Sequence, residues 1–540
     1  MIRPNVLICT CPDLALDSQK LADRLARLGV NAVLSPPLCT PAGLQEWGPL
    51  LAAQSQDWLV AACGPAQHQG LFPRLAGDNI LPVVDLLHQA DLESAVAAIL
   101  VAGEEKPAAP CPAGAPISQD VLVVGGGVGG IQTALDLANA NLKVYLVESS
   151  LSIGGVMAQL DKTFPTLDCS ICILGPKLVE AATHPLIELL TFTEITGISG
   201  QAGNFAVDVT IRPRYVDISH CVGCGSCAEV CPVIVPSRWN LGLKSRKCIR
   251  ILFAQAVPLM ATIEKEYCID CRMCVEACEH SAIDLASAPS ERRLEVGAVV
   301  LATGARPFEP LIKSNYGYGR IPGVLTNLEF ERLVCATGPT QGQLVTSDGQ
   351  PVKHLAFIQC VGSRDRHFLP YCSGYCCTAA IKQAMLTLEH EPNASVTIFF
   401  NDIRTSGKGF EELYLRAREA GVRFVRGLPG RIEAGADGRP VIRYEDQQGG
   451  GRGHLAVDLA VLSLGLTAPR EELPFMGAAP VRDHLGFYSS RHPILHPLES
   501  TLPGVFLAGT CQGPRDIAET VCTGSGVAAR IINLLKSLPR

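Results

Sequence analysis

Residues Gln119–Glu148 read QDVLVVGGGVGGIQTALDLANANLKVYLVE. An apolar run passes straight into a glycine turn, IQTALDLANANL follows with helical periodicity, and KVYLVE is a second apolar run that ends on an acid. That order predicts a βαβ unit with parallel strands. Gly125, Gly127 and Gly130 make a G-x-G-x-x-G pattern. The first glycine permits the tight turn, and the second lets backbone approach a pyrophosphate whose charge sits at the helix N-terminus. Glu148 follows about 20 residues on, at a strand end, where a carboxylate accepts from a ribose hydroxyl. The alternative is a glycine-rich turn with no ligand.

Working outward, VVLATGARP (299–307) and GVFLAGT (504–510) resemble the two other characteristic segments of two-dinucleotide flavoproteins such as thioredoxin reductase. The resemblance favours FAD over NAD and implies flavin contacts at Thr303, Gly304, Gly509 and Thr510. It also departs from that pattern: the second segment usually ends in Gly-Asp, and here it runs Gly509-Thr510-Cys511. An inner α/β section over 351–470 has HLAFIQC, ASVTIFF and DLAVLSLGL as candidate strands. It should carry its own fingerprint for a nicotinamide. Its first strand instead continues Val361-Gly362-Ser363-Arg364, where a single glycine cannot make one. The chain is therefore expected not to take hydride from NADH or NADPH itself.

A cysteine-rich block interrupts the flavin-type pattern. CVGCGSCAEVCP supplies Cys221, Cys224, Cys227 and Cys231, and CIDCRMCVEACE supplies Cys268, Cys271, Cys274 and Cys278. Each is C-x2-C-x2-C-x3-C, the bacterial ferredoxin run, in which the fourth cysteine ligates the other cluster. One [4Fe–4S] cluster is thus expected on Cys221, Cys224, Cys227 and Cys278, and a second on Cys268, Cys271, Cys274 and Cys231. Zinc fits less well, since its sites pair two CxxC units rather than tight triplets. Glu279 stands where proline is usual.

Three further cysteine sets stand outside that block. Cys9, Cys11, Cys39 and Cys63 follow successive candidate strands of an N-terminal α/β segment. Parallel strands bring such positions to one edge, so they either converge on a cluster or are buried small hydrophobes. Cys360, Cys372, Cys376 and Cys377 cluster where the nicotinamide fingerprint is missing, which predicts a cluster in the vacated site. Cys169 and Cys172, in DCSIC, are candidates for a redox-active dithiol, for cluster ligands, or for inert positions.

Length and composition narrow the class. A chain of 540 residues with 47% hydrophobic content supports several cores. A net charge of -7 gives no basic footprint for nucleic acid. No apolar run is long enough for a membrane span, and the start, MIRPNVLICTCPD, has no signal-peptide pattern. Twenty-three cysteines without such a pattern suit reduced cytoplasmic thiolates better than disulfides. The expected organisation is an N-terminal α/β domain (1–103), a Pro/Ala-rich linker (104–118), a flavin domain in three parts (119–211, 291–350, 471–540), the ferredoxin insert (212–290) and the inner domain (351–470).

Taken together, CTC, GGGVGGIQTALDLA, SIGGVMAQLDKTFPTLDCSICILGPK, the ferredoxin block, FAQAVP, CVGSRD, YCSGYCC with IKQA, DIRTSGKGFEELY and AGTCQGPRDIAETV resemble the A-type subunit of heterodisulfide reductase nearly end to end. The resemblance implies an α/β, thioredoxin-reductase-like two-dinucleotide flavoprotein fold, with an inserted α+β two-cluster ferredoxin domain and a small N-terminal α/β domain. It places Gly154, Gly155 and Lys162 in the flavin region. It implies an FAD and [4Fe–4S] electron-transfer subunit that works with B and C subunits and a donor protein (a hydrogenase, dehydrogenase or ferredoxin), as a homo-oligomer within a larger complex. Bifurcation of electron pairs at the flavin is implied as well, although the sequence ends at Arg540 without the additional ferredoxin domain that many members carry. The alternatives are a free-standing flavin-dependent disulfide oxidoreductase using Cys169 and Cys172, and a docking subunit whose clusters are structural.

Overall fold

The computed structural model describes residues 5–12, 14, 16–54, 58–62, 83–86, 91–96, 99, 117–470 and 472–537. Two compact units divide at Ala113/Gly114.

The first unit is a parallel sheet of β1 (Asn5–Cys9), β2 (Ala32–Ser35), β3 (Trp58–Ala62) and β4 (Val83–Asp85) in the order β2-β1-β3-β4. Both faces of β1 are buried, Val6 and Ile8 in one core and Leu7 and Cys9 in another, as expected of a parallel strand covered on both sides. Helix α1 (Ser18–Arg27) starts at Asp17, whose carboxylate accepts from the Gln19 and Lys20 amides, and α2 (Pro41–Gln54) follows β2. Cys63 and most of the expected linker lie outside the described residues.

In the second unit, β5 (Val121–Val124), α3 (Val128–Asn139) and β6 (Val144–Glu148) form the expected βαβ unit. After α4 (Ser170–Thr183) comes β7 (Ile187–Thr191). With β8 (Ala298–Leu301) and β12 (Val505–Leu507) they build a sheet that runs β12-β8-β5-β6-β7, with two antiparallel strands beyond β12. Helix α6 (Ile517–Ser537) packs against α3 over a core that includes Val123, Ile131, Leu135, Val527 and Ile531.

The inner fold is a second parallel sheet, ordered Val324–Thr326, β11 (Leu459–Leu464), β9 (His354–Val361), β10 (Ser395–Phe400), Arg423–Arg426. Helix α5 (Cys376–His390) follows β9. The chain enters and leaves this fold through a short antiparallel pairing of Arg306–Pro307 with Leu466–Thr467. Val324–Thr326 and the helix Asn327–Val334 therefore belong with the inner sheet, and not with the flavin part over 291–350 expected from sequence. A three-residue strand has too little periodicity to declare its sheet.

The cysteine-rich block leaves at Ile211 and returns at Ser290, two residues paired across adjacent antiparallel strands. Inside it are two small hairpins. Its buried cluster is unusual in containing Cys227, Cys231, Cys248 and Cys274 beside a few aliphatic side chains. Among the described residues no helix is long and apolar enough to cross a membrane.

Candidate redox site

The glycine turn between β5 and α3 separates two roles. Gly125 has φ +108, and a Cβ there would fall 2.3 Å from the Ala302 carbonyl oxygen; a Cβ on Gly130 would fall 1.9 Å from that of Gly125. Both glycines are required by the protein's own packing. Gly127 differs: its φ of -74 suits any residue, and a Cβ there meets nothing within 4 Å. It is the N-cap of α3 without a capping side chain, so open space faces the helix N-terminus, a setting suited to a phosphate. Glu148 is fixed beside it, one carboxylate oxygen accepting from the Gly126 amide at 2.7 Å and the other from the Ser150 amide at 2.7 Å. Gly154 donates its amide to the Gly126 carbonyl, and a Cβ on Gly155 would lie 3.0 Å from Gly127 Cα. The SIGG turn thus packs directly on the fingerprint.

The other segments reach the same sheet edge. Ala302 donates its amide to the Val124 carbonyl, and Ala508 to that of Leu301. This sets Thr303-Gly304 and Gly509-Thr510 side by side, with a Cβ on Gly304 placed 3.9 Å from Thr510 Oγ1. Thr510 stands where flavoproteins of this kind carry an acid, and Cys511 beside it is fully buried and donates its S–H to the Leu301 carbonyl at 3.1 Å. Burial pushes this thiol up to about 12. It is a core residue and presents nothing to a ligand. Around this edge, Thr303 Oγ1, Gln512 Oε1 and Arg515 Nη1 are buried with no hydrogen-bond partner among the described residues. Buried polar atoms are normally paired, so a polar ligand fits here. Gln512 and Arg515 were not singled out from sequence; their only signal was the polar loop QGPRD.

Lys162 pairs with Glu389 of α5 at 2.8 Å. Beneath it lies a pair that sequence reading missed. Lys382 and Glu331, 2% and 3% exposed, form an ion pair. Lys382 also donates to the Lys162 carbonyl, Glu331 accepts from the Asp161 amide and from Gln383, and burial and Glu331 together raise the Asp161 carboxyl. This network ties the inner fold to the turn of the outer one.

At the carboxyl edge of the inner sheet, Cys360 sits in a bulge of β9 with φ +58. Cys376 and Cys377 open α5, and Cys372 lies on the loop between. The four thiols act on one another electrostatically. Burial pushes Cys360 up to about 11 and raises Cys376 well above the usual thiol range. Arg364 lies against Cys360 and pairs with Asp402 at the end of β10. Both ends of the Gln359 amide, 1% exposed, and Ser463 Oγ on the neighbouring strand have no partner among the described residues.

In the insert, one cavity is lined by Cys221, Cys224, Cys227 and Cys278. A second is lined by Cys231, Cys268, Cys271 and Cys274, and also by Cys248. Among the described residues no three His, Cys, Asp or Glu side chains converge on a single metal ion. The thiols surround a space, which suits a polynuclear cluster better than zinc. In the first unit, Cys9 lies close to Cys11 and Cys39 at the carboxyl edge of its sheet. Cys169 and Cys172 form a disulfide at the N-terminus of α4, with Cys172 exposed.

Residues 119–327 match the pyridine nucleotide-disulphide oxidoreductase family. The chain is 42% identical over 495 residues to the A-type subunit of the H(2):CoB-CoM heterodisulfide,ferredoxin reductase of Methanothermobacter thermautotrophicus, covering 87% of this chain and 75% of that one. It is 40% identical over 567 residues to the A-type iron-sulfur subunit of the CoB–CoM heterodisulfide reductase of Methanocaldococcus jannaschii, covering 98% and 85%. The chain belongs to the family of heterodisulfide reductase A-type subunits. It is accordingly an oxidoreductase built on a two-dinucleotide fold. Among solved structures, thioredoxin reductase of Lactococcus lactis is 15% identical and covers 78% of this chain and all of that one, at a TM-score of 0.44. Membership in the heterodisulfide reductase family gives the cysteine-lined edge of the inner fold its context: this is a redox protein, and its second dinucleotide fold carries thiols at the strand–helix junction.

Proposed function

We propose that the chain holds FAD on its outer fold and [4Fe–4S] clusters on its cysteine sets, and passes electrons between a donor protein and partner subunits of a heterodisulfide-reductase-like complex. The observation that carries this reading is the junction of β9 and α5, where four mutually close thiols stand in place of a nicotinamide fingerprint. The crossed grouping of thiols in the two insert cavities supports two further clusters, each with four thiolates. A fourth cluster would take Cys9, Cys11, Cys39 and Cys63.

When bound, FAD accepts electrons in pairs and releases them singly, as one-electron clusters require. The residues supply position and electrostatics. Gly127 leaves room for the pyrophosphate, Glu148 is oriented to accept from a ribose hydroxyl, and Thr303 and Arg515 offer unused polar atoms to the rest of the cofactor. The Lys382–Glu331 pair fixes the Asp161-Lys162 turn against the inner fold. In its finer form the reading has the flavin divide an electron pair between two acceptors, with B and C subunits on the heterodisulfide branch. Coupled reduction of ferredoxin and heterodisulfide by the assembled complex tests that form.

A second reading, a free-standing disulfide reductase, is favoured by the Cys169–Cys172 disulfide, whose Cys172 is exposed. Stopped-flow spectroscopy separates the two. On the first reading NADH or NADPH alone leaves the flavin absorbance unchanged, and Cys169→Ser with Cys172→Ser leaves reduction by the donor protein intact. Bleaching by either nucleotide without a partner sinks the first reading.

A further inference from the structure

The second insert cavity contains a thiol that the ferredoxin pattern does not account for. Cys248 lies outside both C-x2-C-x2-C-x3-C runs, at the head of the hairpin Ile249–Ile251/Ala261–Ile263. It is 1% exposed and lines the cavity of Cys231, Cys268, Cys271 and Cys274. Among the described residues the first cavity has no such fifth thiol. The Cys248 S–H donates to the Glu264 carbonyl oxygen at 3.1 Å. Glu264 is held in turn, its carboxylate pairing with Arg246 at 2.5 Å and Arg250 at 2.7 Å, all three largely buried. The sulfur of Cys248 is therefore fixed between a carbonyl and the cavity.

We propose that Cys248 is an outer-sphere hydrogen-bond donor to the cluster held in that cavity, and that it makes the two clusters of the insert inequivalent. The inference rests on the reading of the insert as a two-cluster domain. A thiol hydrogen rotates freely about its Cβ–Sγ bond, so with the sulfur fixed it can face either the Glu264 carbonyl or the cavity. One-electron reduction adds negative charge to the cluster sulfurs, and a hydrogen bond to a charged acceptor is stronger than one to a neutral carbonyl. The S–H then turns toward the cluster. No bond to iron forms or breaks, and the proton stays on sulfur. Because the contact is stronger in the reduced state, it raises the reduction potential of this cluster, which is the usual action of hydrogen bonds to cluster sulfur. Electrons entering the insert then settle preferentially at the second cavity.

Redox titration of the full chain followed by electron paramagnetic resonance, with iron analysis on the same samples, tests this. Cys248→Ala and Cys248→Val remove the donor, and Val also fills the space should Ala fold poorly. Both are expected to keep the wild-type iron content and to weaken one-electron reduction of one cluster about tenfold, a fall of about 59 mV, with the other clusters unmoved. Cys248→Ser keeps a donor and should keep the wild-type potential. Unchanged potentials in Ala and Val, with the clusters present, overturn the proposal alone. Loss of one cluster's iron in those variants overturns it in favour of a ligand role. A wild-type insert that binds no iron overturns both the proposal and the reading beneath it.

Discussion

The two dinucleotide folds of the second unit start alike, each with a buried parallel strand leading to a helix, and part company at the strand end. In the outer fold three glycines bridge Val124 to Val128, and the space before the helix is open. In the inner fold the chain bulges at Cys360 and takes a long loop to Cys376, and the same edge is lined with thiols under Arg364. Both edges collect the carboxyl ends of parallel strands, where α/β sheets place ligands. Topology thus fixes where a ligand sits, and the side chains of one loop fix its class.

The largest effect falls on the outer edge. A Cβ at Gly127 meets nothing within 4 Å and the backbone there is ordinary, so Gly127→Asp should fold as wild type, keep its iron and be purified without flavin. A yellow, flavin-replete variant would remove the dinucleotide assignment. Next, Cys376→Ala with Cys377→Ala should lose about 4 iron atoms while flavin content holds, because these thiols lie on the inner edge; iron equal to wild type would contradict it. Removing residues 1–113, a separate compact unit, should likewise lose about 4 and leave the flavin.

The network joining the two folds gives a smaller effect. Lys382→Met strands the buried Glu331 carboxylate, and should cost about 3–5 kcal/mol in denaturant unfolding. Lys162→Met frees only the exposed Glu389, and should cost less than about 1 kcal/mol. Equal losses would refute the distinction. The smallest effect is in thiol reactivity of the cluster-free protein. The Ser226 hydroxyl and amide lower exposed Cys224, whereas burial pushes Cys360 up to about 11. Since the thiolate reacts, Cys224 should alkylate first at neutral pH, and Cys360 should gain speed with each pH unit up to about 11. Peptide mapping after timed alkylation reads this.

The outer fold was legible because its signal is local: a strand, three glycines, a helix and Glu148 within one stretch. The cysteine sets were legible by spacing. What sequence could not show depends on burial. The Gly509-Thr510-Cys511 segment departs from the usual Gly-Asp, and only packing shows that the Cys511 S–H is directed into the core at Leu301. Lys382, Glu331, Gln359 and Ser463 carry no local pattern and acquire meaning only when helix and strands pack. Cys248 was hidden for the same reason: it falls between the ferredoxin runs in sequence and joins them only through the fold.

The iron-to-flavin ratio of the anaerobically reconstituted protein shows whether thiols replace the nicotinamide site on the inner edge and hold a cluster. With all four cysteine sets loaded the account predicts about 16 iron atoms per FAD, falling to about 12 in the Cys376→Ala, Cys377→Ala variant. A wild-type ratio near 8, the insert alone, with no change in that variant, would contradict it.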